Sequence, residues 1–408
     1  MFYTLNENVY LVRGNVRSCI YDFNTSKLYS INSKLSEKIN LINEGKILVD
    51  TVDDEELVKI LDELVQLKLL ILVDKPVYRK IEEIKGKDDG CEFAWVEITN
   101  KCNLKCIHCY NESNVYCDTI MSLDNYKMVI DAILKLKIKK IQIIGGEPFF
   151  NKELLREMLN YTVGKFEFIE IFTNGTLISP EWFEFLKKNN IHIALSVYSY
   201  EAELHDKITG CNGSWEKTNK TIKELKNYEI PYRVCNVLMR GVDIGERTTD
   251  LYQLSTQKDI VRMSGRASFS LLTDDLIRKK LITKKTFETP IKKEFCRRLL
   301  SGHNCFQNKI YISSDLKVFP CVMERRLNHG VVDYNNGITL DNAIRHFNKD
   351  KIKECNCCEY RYACFDCRPN SISGDLEEKP WYCTYKPLEG KWEDEETFLL
   401  RLTDEWKN

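Results

Sequence analysis

Apolar and polar positions divide the chain into three stretches of different rhythm. In residues 1–85, the segments 9–12, 18–23 and 27–31 are short β-type runs split by polar turns. Helical stretches follow over 35–44 and 53–66, with Asp53 or Asp54 placed to cap the second. Leu57, Ile60, Leu61, Leu64 and Leu67 recur at helical spacing and predict one apolar face. Residues 69–73 read as a last strand, ending before Pro76. Three strands, two helices and a strand predict a small winged-helix-like module. After a charged linker, 79–90, the rhythm changes: β-rich runs at 93–98, 140–144, 166–172, 191–197, 232–239 and 260–263 alternate with helical patterns at 123–135, 152–159, 180–188, 215–227 and 244–255. That alternation predicts an α/β fold with parallel strands and crossover helices over 92–270. Six such strands fit a partial (β/α)6 barrel, with an active site at the C-terminal strand ends. Residues 290–385 show few periodic segments, and 386–408 form an acidic tail of helical pattern. There is no internal repeat and no low-complexity tract.

Charge adds little and cysteine adds much. The 408 residues carry 60 basic and 61 acidic side chains, a net charge of −1. That balance gives no electrostatic reason to expect nucleic acid or a membrane surface as partner. The N-terminus shows no secretory signal, and no apolar run is long enough to span a bilayer. The chain is therefore expected to be cytoplasmic, where thiols stay reduced, and its 17 cysteines read as metal ligands rather than disulfides. Nine of them fall between 290 and 385, a region that needs metal or cross-links to hold it.

Directly after the first barrel strand, Cys102, Cys106 and Cys109 form CxxxCxxC. Three thiolates can hold three irons of a 4Fe–4S cubane and leave the fourth iron without a protein ligand. An open coordination position is what a metal needs in order to bind a substrate. On spacing alone a CxxC pair suits zinc as well. Further matches extend the pattern. Gly145, Gly146, Glu147 and Pro148 follow the second strand, Thr173 and Asn174 end the third, and Ser196 ends the fourth. His205 to Gly210 and Gly213 to Thr218 come next.

In order and spacing these residues resemble the radical S-adenosylmethionine (radical SAM) superfamily over about residues 92–265. The resemblance implies a cluster on Cys102, Cys106 and Cys109 whose open iron chelates S-adenosylmethionine. Reductive cleavage then gives a 5′-deoxyadenosyl radical that abstracts a hydrogen from the substrate. It implies cofactor contacts from His108, Gly145, Gly146, Glu147, Pro148, Thr173, Asn174 and Ser196. His108 fills a place that is usually aromatic in the family. Tyr198, Tyr200 and Arg266 lie at strand ends where a quencher or proton acceptor would fit, though such residues are as often packing or rim.

The downstream cysteines resemble the SPASM extension, an auxiliary iron–sulfur domain of peptide-modifying radical enzymes. The resemblance assigns Cys305, Cys321 and Cys367 to a first auxiliary cluster, with Cys296 as candidate fourth ligand. It assigns Cys355, Cys358, Cys364 and Cys383 to a second and leaves Cys357 spare. Two positions depart from the family pattern: only Phe365 and Asp366 separate Cys364 from Cys367, and Leu316 stands where a glycine is usual. A zinc-ribbon-like fold is the alternative on spacing. Cys19, Cys91, Cys117, Cys211 and Cys235 read as small hydrophobes.

The N-terminal module resembles the recognition element of ribosomally made, post-translationally modified peptide (RiPP) systems, which captures a leader peptide beside a sheet edge. Together the parts resemble a radical SAM/SPASM peptide maturase, of the layout found beside ATP-grasp ligases. The implied activity is that of an oxidoreductase that installs a thioether, a carbon–carbon crosslink or an epimer. The implied partners are a precursor peptide and an electron donor such as flavodoxin or ferredoxin. The alternatives are an anaerobic sulfatase-maturating type, against which the N-terminal module counts, and a non-catalytic, metal-stabilised peptide-binding protein.

Overall fold

Strand β1 (Phe2–Leu5) precedes an antiparallel meander of β2 (Val9–Arg13), β3 (Ser18–Asp22) and β4 (Lys27–Ile31), with Val9 opposite Asp22 and Ser18 opposite Ile31. Our computed structural model describes residues 1–47, 54–86, 90–242, 252–254, 259–370 and 374–407. Asn32 caps α1 (Ser33–Asn43) by accepting from Leu35 N, and Asp54 caps α2 (Glu55–Gln66) by accepting from Glu56 N and Leu57 N. Asp53, the other candidate cap, lies outside the described residues. Strand β5 (Leu70–Val73) pairs antiparallel with β1. The pattern did not disclose β1, because four residues at a chain start carry too little alternation.

Strand β3 is buried on both faces. Ile20 enters a core with Ile39, Ile42 and Leu61, while Cys19 and Tyr21 enter a second core with Cys296, Tyr360 and Tyr385. The N-terminal module is thus packed onto the C-terminal region. Full burial of each apolar side chain there is worth about 1.5–3 kcal/mol.

The central region alternates as expected: β6 (Phe93–Glu97), α3 (Leu123–Lys135), β7 (Lys140–Ile144), α4 (Lys152–Thr162), β8 (Phe168–Thr173), α5 (Glu181–Lys188), β9 (His192–Ser196), α6 (Ala202–Thr209), α7 (Ser214–Asn227) and β10 (Tyr232–Cys235). Neighbouring strands pair in parallel in the order β10-β9-β8-β7-β6. Ala94, Val96, Ile141, Ile143, Ile169, Ile171, Ile193 and Leu195 alternate onto the main apolar core. Strand alternation turns Trp95, Glu97, Gln142, Glu170, Phe172 and Ser196 to the opposite face.

Two expectations change. The run at 232–239 is split, and β11 (Val237–Leu238) pairs in parallel with β12 (Asp259–Ile260) as a separate two-stranded sheet. The sixth parallel strand of the main sheet is therefore not 260–263. After α8 (Asp274–Lys280), α9 (Lys293–Ser301) and α10 (Asn304–Asn308), β13 (Lys309–Ile312) takes that place, beside β6. Ile310 and Ile312 are fully buried in the main core, whereas Ile260 is only partly covered. The helix expected over 244–255 falls largely outside the described residues. Strands β14 (Lys317–Phe319) and β15 (Gly330–Val331) extend the sheet antiparallel to eight strands. Helix α11 (Asn342–Arg345), a hairpin of β16 (Tyr385–Lys386) and β17 (Lys391–Trp392), and α12 (Glu395–Lys407) complete the chain. No helix among the described residues is long and apolar enough to cross a membrane.

Candidate active site and cysteine arrays

The loop after β6 carries Cys102, Cys106 and Cys109, and backbone bonds fix it from two sides. Lys105 N and Ile107 N donate to Thr209 O and Ile208 O of α6, each at 3.0 Å. Arg266 donates from Nε to Cys106 O (2.9 Å) and from Nη2 to Ser113 O (3.0 Å), and its backbone N donates to Cys109 O (3.1 Å). The preceding Gly265 has φ +57°, and a Cβ there would meet Cys109 O at 2.3 Å, so only glycine lets the two loops approach.

The three thiols share one electrostatic environment. Burial pushes Cys102 up to about 12, with Glu147 and Cys109 adding to the rise. Burial also pushes Cys106 up, followed by the neighbouring Cys109 and Cys102. His108 is pushed down to about 4 by burial and then by Arg266, so its ring is neutral. Its Nε2 lies 3.1 Å from Tyr198 Oη, and the rings meet edge to face at 4.8 Å. His108 Nδ1 is buried without a hydrogen-bond partner among the described residues.

Gly146 N donates to Thr99 O (2.7 Å) and Glu147 N to Lys101 O (2.8 Å), continuing the β6–β7 pairing beyond both strands. A Cβ on Gly145 would meet Thr99 O at 2.4 Å. The close approach that Gly145 permits is thus between the loops after β6 and β7. Glu147 is fully buried and caps the short turn Pro148–Phe150. Its carboxylate accepts from Thr173 Oγ1 (2.6 Å), Asn174 N (2.8 Å) and Phe149 N (3.0 Å). Burial raises its pKa, and these bonds oppose the rise. Asn174 Nδ2 approaches Cys102 Sγ at 3.9 Å and donates to Asn103 Oδ1 at 2.9 Å. Ser196 ends β9 opposite Cys235 and contacts Tyr198. The residues expected around the cofactor therefore gather at the C-terminal ends of β6 to β9.

The downstream cysteines separate into two groups. Burial pushes Cys305 up to about 12, and Cys321 and Cys367 add to it; burial and Cys367 likewise raise Cys321. Arg262 stands among these three, with Nε 3.3 Å from Cys367 Sγ, Nη1 3.7 Å from Met323 Sδ and Nη2 2.9 Å from Asp259. Cys296 is elsewhere: fully buried on α9, in the core that holds Cys19 and Tyr21. Cys355, Cys358, Cys364 and Cys383 line one small cavity with Lys349, Arg361 and Lys379. Burial pushes Cys355 up to about 12 and Cys364 to about 11. Cys357 is turned away, its Sγ 3.2 Å from Glu354 O.

All 17 cysteines are free thiols. Among the described residues, no three His, Cys, Asp or Glu side chains converge tightly enough for a single metal ion. Three thiols in one loop beside an unpaired buried imidazole nitrogen, and four thiols around one cavity, are donor sets of the soft kind that iron–sulfur clusters take. Both sets fit such a cluster. Arg262, Lys349 and Asp366, which stand against the downstream thiols, escaped the sequence reading. Isolated charged residues carry no spacing signal.

Fold and site define a parallel-stranded α/β protein with a three-cysteine loop at the carboxyl ends of its strands. Residues 96–251 match the model of the Radical SAM superfamily. The antilisterial bacteriocin subtilosin biosynthesis protein AlbA of Bacillus subtilis is 38% identical over 144 residues, 35% of this chain and 32% of AlbA. The match thus takes in about a third of AlbA's length. The AdoMet-dependent heme synthase of Methanosarcina barkeri is 25% identical over 342 residues, 72% of this chain and 96% of that protein. Streptococcus suis SuiB, solved with its precursor peptide SuiA, superposes with a TM-score of 0.51 at 14% identity, over 93% of this chain and 99% of SuiB, a likeness of fold.

Proposed function

We propose that the chain is a radical S-adenosylmethionine maturase that modifies a ribosomally made precursor peptide. The observation that carries the reading is the gathering of Cys102, Cys106 and Cys109 beside Asn174 at the C-terminal ends of parallel strands. Cys102, Cys106 and Cys109 would hold a 4Fe–4S cluster, which when bound would supply the electron for reductive cleavage of S-adenosylmethionine. The chain's own residues contribute position. Arg266 holds the carbonyls of Cys106 and Ser113, which keeps the loop in one conformation. Glu147 ties the turn after β7 to Thr173 and Asn174. Neutral His108, packed on Tyr198, covers the loop without adding charge.

Residues 290–385 act in this reading as a SPASM-type domain, with Cys305, Cys321 and Cys367 on one auxiliary cluster and Cys355, Cys358, Cys364 and Cys383 on another. Residues 1–85 act as a winged-helix-like recognition module. Strand β4 is an end strand of its three-stranded sheet, the kind of edge to which an extended leader peptide adds. The name of AlbA and the SuiB–SuiA complex support a peptide as the substrate class. The reductant would be a small protein such as flavodoxin or ferredoxin. The test is S-adenosylmethionine cleavage by the reduced, cluster-loaded chain. Cys106→Ala is expected to abolish it, and retained turnover would sink the mechanism.

A further inference from the structure

Lys349 is 5% exposed, and its side chain lines the cavity formed by Cys355, Cys358, Cys364 and Cys383. Its ammonium lies 2.9 Å from Asp366 Oδ1. Asp366 also pairs with Arg368, which is 1% exposed. Two buried cations thus share one carboxylate. The other charges facing the cavity are closer to balance: Arg361 pairs with Asp350 at 3.0 Å and Lys379 with Glu354 at 2.9 Å. Glu359, beside Cys358, accepts a hydrogen bond from Tyr385 Oη, and His303 Nε2 lies 2.9 Å from Asp366 O.

An uncompensated buried cation is costly unless an anion meets it. A four-thiolate 4Fe–4S cluster is such an anion, and it gains one more negative charge on reduction. The triad's surplus charge therefore stands where the cluster's charge changes. Attraction from a fixed cation is stronger for the more negative form, more so in a low-dielectric interior.

We propose that Lys349 is a positioning residue for the cluster held by Cys355, Cys358, Cys364 and Cys383, its buried charge raising that cluster's reduction potential. The proposal rests on the auxiliary-cluster reading above. It is tested on the full chain, reconstituted without oxygen, as wild type, Lys349→Gln and Lys349→Arg. Iron per chain and an EPR-monitored redox titration are read together. Lys349→Gln is expected to shift one cluster's reduction equilibrium at least tenfold toward the oxidised form, about 59 mV for a one-electron couple, while Lys349→Arg stays near wild type. Loss of one cluster's iron in the Gln variant alone would also support a role for the charge. An unchanged potential with full iron in Lys349→Gln overturns the proposal, as does an equal loss of iron in both variants, which would mean that shape and not charge matters. If wild type itself lacks the second auxiliary cluster, the reading beneath fails, and the iron count of wild type separates that outcome from the others.

Discussion

Replacing Glu147 with alanine should cost the fold about 3 kcal/mol and disturb the site with it. The carboxylate is fully buried and accepts three hydrogen bonds, from Thr173 Oγ1, Asn174 N and Phe149 N. Alanine leaves a hydroxyl and two backbone N–H groups unpaired in the interior. Each such loss costs about 1–3 kcal/mol, and the low end applies because water can enter the vacated space. Glu147→Gln keeps an acceptor oxygen on one side but turns an amide NH₂ toward a donor on the other, so it should cost about 1–2 kcal/mol. The consequence for the site runs through Asn174, whose backbone is anchored by Glu147 while its side chain reaches Cys102 Sγ and Asn103. The assay is urea unfolding of the iron-free, reduced chain followed by tryptophan fluorescence, with S-adenosylmethionine binding to the loaded chain measured alongside. An alanine variant within about 1 kcal/mol of wild type would refute the reasoning, because the three bonds would then not be holding the two loops together.

Further outcomes are expected. Burial raises Cys102 and Cys355 to about 12 and Cys364 to about 11, against an ordinary thiol value of 9.0. Between those values the folded iron-free chain binds more protons than the unfolded one, so its Tm should fall as pH rises from about 9 to 12; a flat profile in anaerobic calorimetry would contradict the burial of these thiols. Arg266→Met leaves Cys106 O and Ser113 O without their donor, and iron on the first cysteine loop should be lost to a chelator roughly tenfold faster, with the downstream arrays unaffected. Peptide addition should slow amide hydrogen exchange in Lys27–Ile31, the end strand of the N-terminal sheet, and no protection there would argue against capture by strand addition.

Much of the fold could be read from the sequence because it rests on short-range pattern. Strands β6 to β9 and the helices between them came from alternation of apolar runs, and Asp54 came from cap chemistry. The sixth strand was misplaced because the sequence cannot say which of two short apolar runs wins a sheet edge; Ile310 and Ile312 win by fuller burial. The first cysteine loop was legible from spacing, and the structure adds the loop-to-loop contacts at Gly145 and the clamp by Arg266. The separation of Cys296 from Cys305, Cys321 and Cys367 was not legible, since spacing carries no information on which way a helix turns its cysteine. Nor was the docking of the N-terminal module, where Tyr21 Oη donates to Glu359 O at 3.0 Å and Asn15 N to Cys357 O at 2.8 Å. Those contacts join residues more than three hundred positions apart, beyond any local pattern.

The most direct measurement is iron and sulfide per chain, with Mössbauer spectra, after anaerobic reconstitution of the 408-residue chain. The account predicts about twelve irons per chain, all as 4Fe–4S clusters. About four irons, with zinc on the remaining cysteines, would keep the loop of Cys102, Cys106 and Cys109 but contradict both auxiliary clusters and the assignment of residues 290–385 that depends on them.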